Sequence, residues 1–156
     1  PLCQELTIIK DYIYIEKKRF GDRLSYILKA DVDLEAYEIP SFTLQPLVEN
    51  SIRHGILVRP RGGVVAIRIM ERENDLVIQV LDNGVGMDKA QKAVLLEGRE
   101  RQEGSSSGIG TGNVFRRLRL MFPDCIIRLY GRKGRGTCVE IRINGKECRR
   151  YENTDS

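Results

Sequence analysis

The segment Thr43-Leu44-Gln45-Pro46-Leu47-Val48-Glu49-Asn50-Ser51-Ile52-Arg53-His54-Gly55 sorts its residues by chemistry when laid on a helix. Leu44, Leu47, Val48 and Ile52 share one arc, and Glu49, Asn50, Arg53 and His54 share the opposite one. One face is built for a core and the other for chemistry. Thr43 stands at the N-cap position, which puts Pro46 in the first turn, where its missing N–H costs little. The polar arc offers a neutral carbonyl oxygen suited to a divalent cation, a planar cation suited to phosphate, and an imidazole beside it.

Two glycine-rich turns follow downstream, Asp82-Asn83-Gly84-Val85-Gly86-Met87 and Gly108-Ile109-Gly110-Thr111-Gly112-Asn113. The first follows a strand, as a dinucleotide-binding turn does, but Lys89 stands where a third glycine is required. No GxxxxGK[ST] phosphate loop occurs anywhere in the chain. Taken singly, each turn reads as structural, since Asn-Gly is a turn signal in its own right and Asn50 could simply cap a neighbouring backbone group. The combination in order changes that reading: a polar-faced helix, an aspartate ending a strand before a glycine turn, a polar stretch, and a glycine turn opening a helix.

The rest of the chain frames this set. Leu2, Leu6, Ile9 and Ile13 make a narrow apolar seam on a helix over residues 2–19, which suits either packing on the domain's own core or dimer formation. Phe20-Gly21-Asp22 breaks that helix, and residues 23–30 alternate as a half-buried strand. Residues 64–70 and 76–81 read as a hairpin turning at 71–75, and 88–96 as a short helix. Residues 97–107 are polar and rich in glycine and serine, without apolar periodicity, the pattern of a mobile segment. A helix over 110–122 ends at Pro123, and strands near 125–130 and 137–143 close the domain before a polar tail. Strands in pairs with helices between the pairs predict an α+β two-layer sandwich, not an alternating parallel sheet.

Bulk properties narrow the function. At 156 residues with 41% hydrophobic content the chain suits one domain with one core. Neither a membrane span nor a signal peptide is evident, so the chain reads as soluble. The net charge of +4 is spread among interleaved acidic and basic residues, the pattern of a solvated surface, and no nucleic acid partner is expected. Cys3, Cys125, Cys138 and Cys148 form no CxxC pair and have a single histidine for company, which points to reduced thiols and not to zinc or disulfides.

The ordered motifs resemble the GHKL (Bergerat-fold) ATPases, and among them the catalytic domain of sensor histidine kinases. Residues 44–55 look like the family's N box, Asp82 to Met87 like its first glycine box, Gly108 to Asn113 like its second, and Thr137 after Gly136 like the threonine closing the adenine pocket. The run Ile15-Glu16-Lys17-Lys18-Arg19-Phe20-Gly21-Asp22-Arg23-Leu24 is similar to the LytS/YehU type. The resemblance implies a mixed, mostly antiparallel sheet with helices on one face. It implies ATP and Mg²⁺ as cofactors, with Asn50 as the metal ligand, Asp82 accepting from the adenine amine, and Arg53 and His54 on phosphate or ribose. It further implies that Thr137 shares a water with Asp82, and that Gly84, Gly86 and Met87 border the base. Gly108, Ile109, Gly110, Thr111, Gly112 and Asn113 would face the triphosphate.

The implied catalytic set is Asn50, Glu49 and Arg53, although Glu49 sits at the edge of the polar arc and also suits an exposed charge or a partner-helix contact. Arg99 and Arg101 could reach the terminal phosphate from the polar stretch.

The same resemblance implies three parts: residues 1–20 as the remnant of a dimerisation and phosphoacceptor helix, 21–144 as the ATP-binding domain, and 145–156 as a tail. The only histidine, His54, lies inside the nucleotide motif. The phosphoacceptor histidine is therefore expected elsewhere in a longer, homodimeric parent, a cytoplasmic domain of a protein anchored in the bacterial plasma membrane that signals to a response regulator. Two departures stand out. Thr111-Gly112 replaces the usual leucine of the second glycine box, suggesting a looser lid. Pro46 replaces a polar group one turn before Asn50, which disfavours self-contained ATP hydrolysis there. A degenerate nucleotide-sensing or docking domain is one alternative. An anti-sigma-type serine kinase is another, and the helix at residues 2–19 argues against it.

Overall fold

A computed structural model of the protein describes residues 1–97 and 109–150. Helix α1 (Leu2–Phe20) leads through a 3₁₀ turn into strand β1 (Leu24–Ala30). Helix α2 (Leu44–Asn50) continues into a π-helical turn over Ser51–Ile56. Strands β2 (Gly63–Arg72) and β3 (Asp75–Asp82) form a hairpin, followed by helices α3 (Lys89–Leu96) and α4 (Ile109–Met121). Strands β4 (Ile126–Arg132) and β5 (Gly136–Asn144) precede the short helix α5 (Gly145–Cys148).

The five strands run in the order β1-β2-β3-β5-β4. β1 and β2 are parallel and the other three pairings antiparallel, so the sheet is mixed and mostly antiparallel as expected. A parallel pair requires a crossover, and the connection from β1 to β2 carries α2 over the sheet. Val65, Ile67 and Ile69 of β2, with Leu76, Ile78 and Val80 of β3, meet Leu44, Leu47, Val48 and Ile52 of α2 and Phe115 and Leu118 of α4 in one core.

The α1 seam is absorbed by this same core: Leu2, Leu6, Ile9 and Ile13 are all buried. Of the two roles open to that seam, packing on the domain itself is the one seen. Charge placement favours the helix as well, with Glu5 in its first turn and Lys17, Lys18 and Arg19 in its last. Helix α3 starts with a full capping box in which Asp88 accepts from the Gln91 N–H and Gln91 returns a bond to the Asp88 N–H.

Three local expectations differ from the structure. The β2–β3 turn is tighter than the five-residue stretch at 71–75, because Glu73 and Asn74 both take left-handed conformations (φ 52° and 68°) and the strands extend to Arg72 and Asp75. Strand β1 is less buried than its alternation predicts: it lies at the sheet edge, with Tyr26 and Ile27 exposed. The polar run after Asn144 is not wholly a tail, since α5 buries Cys148 and Arg149 bonds Glu71 Oε2 at 2.6 Å beside Tyr37. A polar composition concealed that docking. No helix among the described residues is long and apolar enough to cross a membrane.

Candidate functional site

The polar arc of α2 faces outward as its spacing demands. Glu49, Asn50, Arg53 and His54 line a cleft of about 100 Å³ together with Pro46, Gly110 and Thr111. The N box and the start of α4 are thus brought together across sequence. Gln45 Nε2 donates to Glu49 Oε1 at 2.9 Å, an i,i+4 bond that orients the carboxylate. Pro46, the departure noted one turn before Asn50, packs toward Gly110, whose added Cβ would lie 3.5 Å from the Pro46 Cβ. Thr111 and Gly112 are buried, while Asn113 is exposed. Gly108, Arg99 and Arg101 lie outside the described residues.

Asp82 ends β3 and is nearly buried. Its Oδ1 accepts from the Gly84 N–H at 2.8 Å and its Oδ2 from Thr137 Oγ1 at 2.5 Å. A shared water was anticipated between Asp82 and Thr137; they are register partners on β3 and β5 and bond directly. Each carboxylate oxygen keeps a lone pair for a further donor. Met87 is half-buried against the core.

The glycines near Asp82 lie where main chains crowd together. A Cβ on Gly84 would sit 2.1 Å from the Gly55 carbonyl oxygen, and one on Gly136 would sit 2.0 Å from the Asp82 carbonyl oxygen. Gly86 is likewise closed off by the Arg132 carbonyl. They let three main chains touch: the end of the N box, the first glycine box, and the β4–β5 hairpin. The Val85 N–H completes the junction by donating to the Gly55 carbonyl at 3.0 Å. The Asp82 and Asn50 regions are fixed to each other through Gly55.

Several supporting residues were not singled out by the sequence. Glu5, buried on α1, accepts from the N–H groups of Phe42, Thr43 and Leu44 at 2.6, 3.1 and 2.9 Å, and so caps α2 from another helix. Thr43, the expected cap, instead donates its hydroxyl to the Pro40 carbonyl. At the other end Arg23 donates to the Leu57 and Arg59 carbonyls at 2.8 and 3.1 Å, a cation where the helix leaves carbonyls unpaired. Arg59 in turn donates to the Asn83 and Gly84 carbonyls behind the first glycine box. A signal for Glu5 existed: it falls on the apolar seam of α1, where a charged residue must find a buried partner.

The donor set suits a magnesium ion carried by a phosphate ligand. The Asn50 carbonyl and Glu49 carboxylate are oxygen donors on one cleft wall. No group of three or more His, Cys, Asp or Glu side chains among the described residues forms a cage. An ion held there would need its remaining ligands from phosphate and water, as Mg²⁺ commonly does.

This combination of a mixed sheet packed by helices, an N-box helix, and an aspartate–threonine pair beside a glycine turn defines a nucleotide-binding α+β domain. The chain belongs to the histidine kinase-, DNA gyrase B-, and HSP90-like ATPase family, whose profile matches residues 40–147. It is 32% identical over 154 residues to the sensor protein LytS of Oceanobacillus iheyensis, covering 96% of this chain and 26% of that protein. It is 42% identical over 121 residues to the sensor histidine kinase YpdA of Escherichia coli, covering 78% and 20%. Thus the chain spans about a quarter or less of these relatives.

Among solved structures it resembles the histidine kinase domain of the Erythrobacter litoralis blue-light activated histidine kinase (TM-score 0.66, 22% identity, covering 94% of this chain and 62% of that one). It also resembles the catalytic domain of histidine kinase ThkA (TM-score 0.66, 13% identity, covering 92% and 95%). Both likenesses bear on the fold.

Proposed function

We propose that this domain binds Mg-ATP and presents the γ-phosphoryl group to a histidine that lies outside residues 1–156, as the catalytic part of a two-component sensor kinase. The observation that carries the reading is the cleft where Asn50 and Arg53 meet the first turn of α4. Asn50 would hold the Mg²⁺ through its side-chain carbonyl, and Glu49 beside it would orient the ion's waters. Arg53 and His54 would meet phosphate or ribose, and the backbone of Gly110 and Thr111 at the start of α4 would face the phosphates. Asp82, steadied by Thr137, would accept from the adenine exocyclic amine; guanine carries a carbonyl there and would set an acceptor against a carboxylate. Bound Mg²⁺ supplies charge neutralisation of the phosphates, and the protein's part is positioning.

On this reading the cognate partners are a phosphoacceptor helix and a response regulator, and the parent is a homodimer at the bacterial plasma membrane. The names of the relatives, a sensor protein and a sensor histidine kinase, support the sensor-kinase part of that context.

Thermal unfolding in the presence of Mg-ATP, Mg-GTP or neither tests the proposal. A ligand at about a hundred times its dissociation constant adds about 2.7 kcal/mol of stability. Stabilisation by Mg-ATP and not Mg-GTP is expected; no shift with either at millimolar concentration would favour a docking domain that has lost the nucleotide.

A further inference from the structure

The first glycine turn is held from behind by a residue outside every nucleotide motif. Arg59, in the loop after the N box, donates through Nη1 to the Asn83 carbonyl and, at 3.3 Å, to the Gly84 carbonyl. A trans peptide points its C=O and its N–H to opposite sides. The two peptides whose carbonyls turn to Arg59 therefore send the Gly84 and Val85 N–H groups the other way. Those groups donate to Asp82 Oδ1 at 2.8 Å and to the Gly55 carbonyl at 3.0 Å. Arg59 and Asp82 thus grip one peptide, Asn83–Gly84, from its two sides.

The Asn83 side chain accepts from the Val64 N–H at 2.7 Å, which ties the residue to β2 but leaves the peptide after it to turn. Backbone beside a glycine rotates readily, and a flip of this unit would set its carbonyl against the Asp82 carboxylate. A guanidinium on the carbonyl side opposes that flip. It also polarises the peptide, so that the N–H reaching Asp82 becomes a better donor. Arg59 is anchored in its turn: its main-chain carbonyl accepts from Arg23 Nη2 at 3.1 Å and from the Gly62 N–H at 2.9 Å, and its N–H donates to the Ile56 carbonyl at 3.1 Å.

We propose that Arg59 is a positioning residue for base recognition, holding the Asn83–Gly84 peptide so that Asp82 presents a fixed acceptor to the ligand. This rests on the reading above that Asp82 meets the adenine amine. Arg59 is not among the residues lining the cleft at Asn50 and Arg53, so its effect is confined to the base end.

The test is calorimetric titration of the whole chain and of Arg59→Met, Arg59→Lys, Asp82→Asn and the double variant of Arg59→Met with Asp82→Asn. The ligands are Mg-ATP and, for the phosphate end alone, Mg-tripolyphosphate. Arg59→Met should weaken Mg-ATP by about three- to tenfold and leave Mg-tripolyphosphate within about twofold. Arg59→Lys, whose ammonium can meet both carbonyls as Nη1 does, should bind Mg-ATP within about twofold of the parent. Added to Asp82→Asn, Arg59→Met should cost no further affinity, the mark of two residues acting as one. Unchanged Mg-ATP affinity in Arg59→Met, with a loss in Asp82→Asn, overturns the positioning role and leaves the base reading standing. Equal weakening of both ligands by Arg59→Met also overturns it, by showing a general structural effect. If Asp82→Asn binds Mg-ATP like the parent, the base reading itself fails and the inference falls with it. Where Arg59→Met does not fold, Arg59→Gln, a neutral donor, is judged by the same outcomes.

Discussion

Thr137 and Asp82 face each other across β5 and β3, and the threonine hydroxyl donates directly to the carboxylate. With the Gly84 N–H on the other oxygen, Asp82 is held in one orientation before any ligand arrives. A fixed acceptor discriminates against a ligand that presents another acceptor, because no rotation relieves the clash.

Replacing Asp82 by Asn turns one acceptor into a donor in that setting. Mg-ATP affinity should fall by about tenfold or more, while stability changes by about 1 kcal/mol, since one buried hydrogen bond is altered and none of the packing. Titration calorimetry and urea unfolding on one preparation separate the two effects; unchanged affinity would remove Asp82 from the base site.

Glu5→Ala strips the cap from α2 and leaves buried N–H groups without acceptors. A loss of about 2–3 kcal/mol in urea unfolding is expected. Glu5→Gln, which keeps one carbonyl acceptor, should lose less. A loss within about 0.5 kcal/mol for Glu5→Ala would mean that α2 is not held from α1.

Gly84→Ala and Gly134→Ala form a contrasting pair. The first drives a methyl into the Gly55 carbonyl, whereas the second meets nothing within 4 Å and carries only the strain of its φ of +85°. The expected losses are about 2–4 kcal/mol and about 1 kcal/mol. Comparable melting temperatures for the two would contradict the close backbone approach at Gly55.

The Glu71 carboxyl is held below the ordinary glutamate range, first by the Tyr37 hydroxyl and then by Arg149. A carboxylate with a depressed folded value contributes stability that is present above its unfolded value and is lost as pH falls through the folded one. Acid unfolding followed across that range should therefore show a weaker pH dependence in Glu71→Gln than in the parent. Identical profiles would show that the Tyr37–Glu71–Arg149 cluster does not link protonation to folding.

Much of the architecture was legible because it depends on periodicity. The α2 segment sorted its apolar and polar faces without ambiguity, and the β2–β3 hairpin and the α4 stop at Pro123 followed from local chemistry. The N box and Gly110 and Thr111 of the second glycine turn line one cleft. What remained hidden depends on partners distant in sequence. Glu5 stands out as a charge on an apolar seam, but its partners at 42–44 show only in the fold, and Arg149 looks like tail until Glu71 and Tyr37 receive it. Gly84 and Gly86 were noticed for close approach, and the Gly55 and Arg132 carbonyls do approach them, whereas Gly136 was read only as a turn residue before Thr137.

The meeting of Gly55, Gly84 and Gly136 sets a gauge. Because main chains touch there with no side chain to compress, the distance from Asp82 to the α2 segment that carries Asn50 is stamped by backbone dimensions. On the proposed reading, with the base at Asp82 and the phosphates at Asn50, a nucleotide would be measured against that length. Surface substitutions around the cleft can change how tightly each end is gripped, yet they leave the measure itself alone, and any ligand with a longer or shorter span must give up one end.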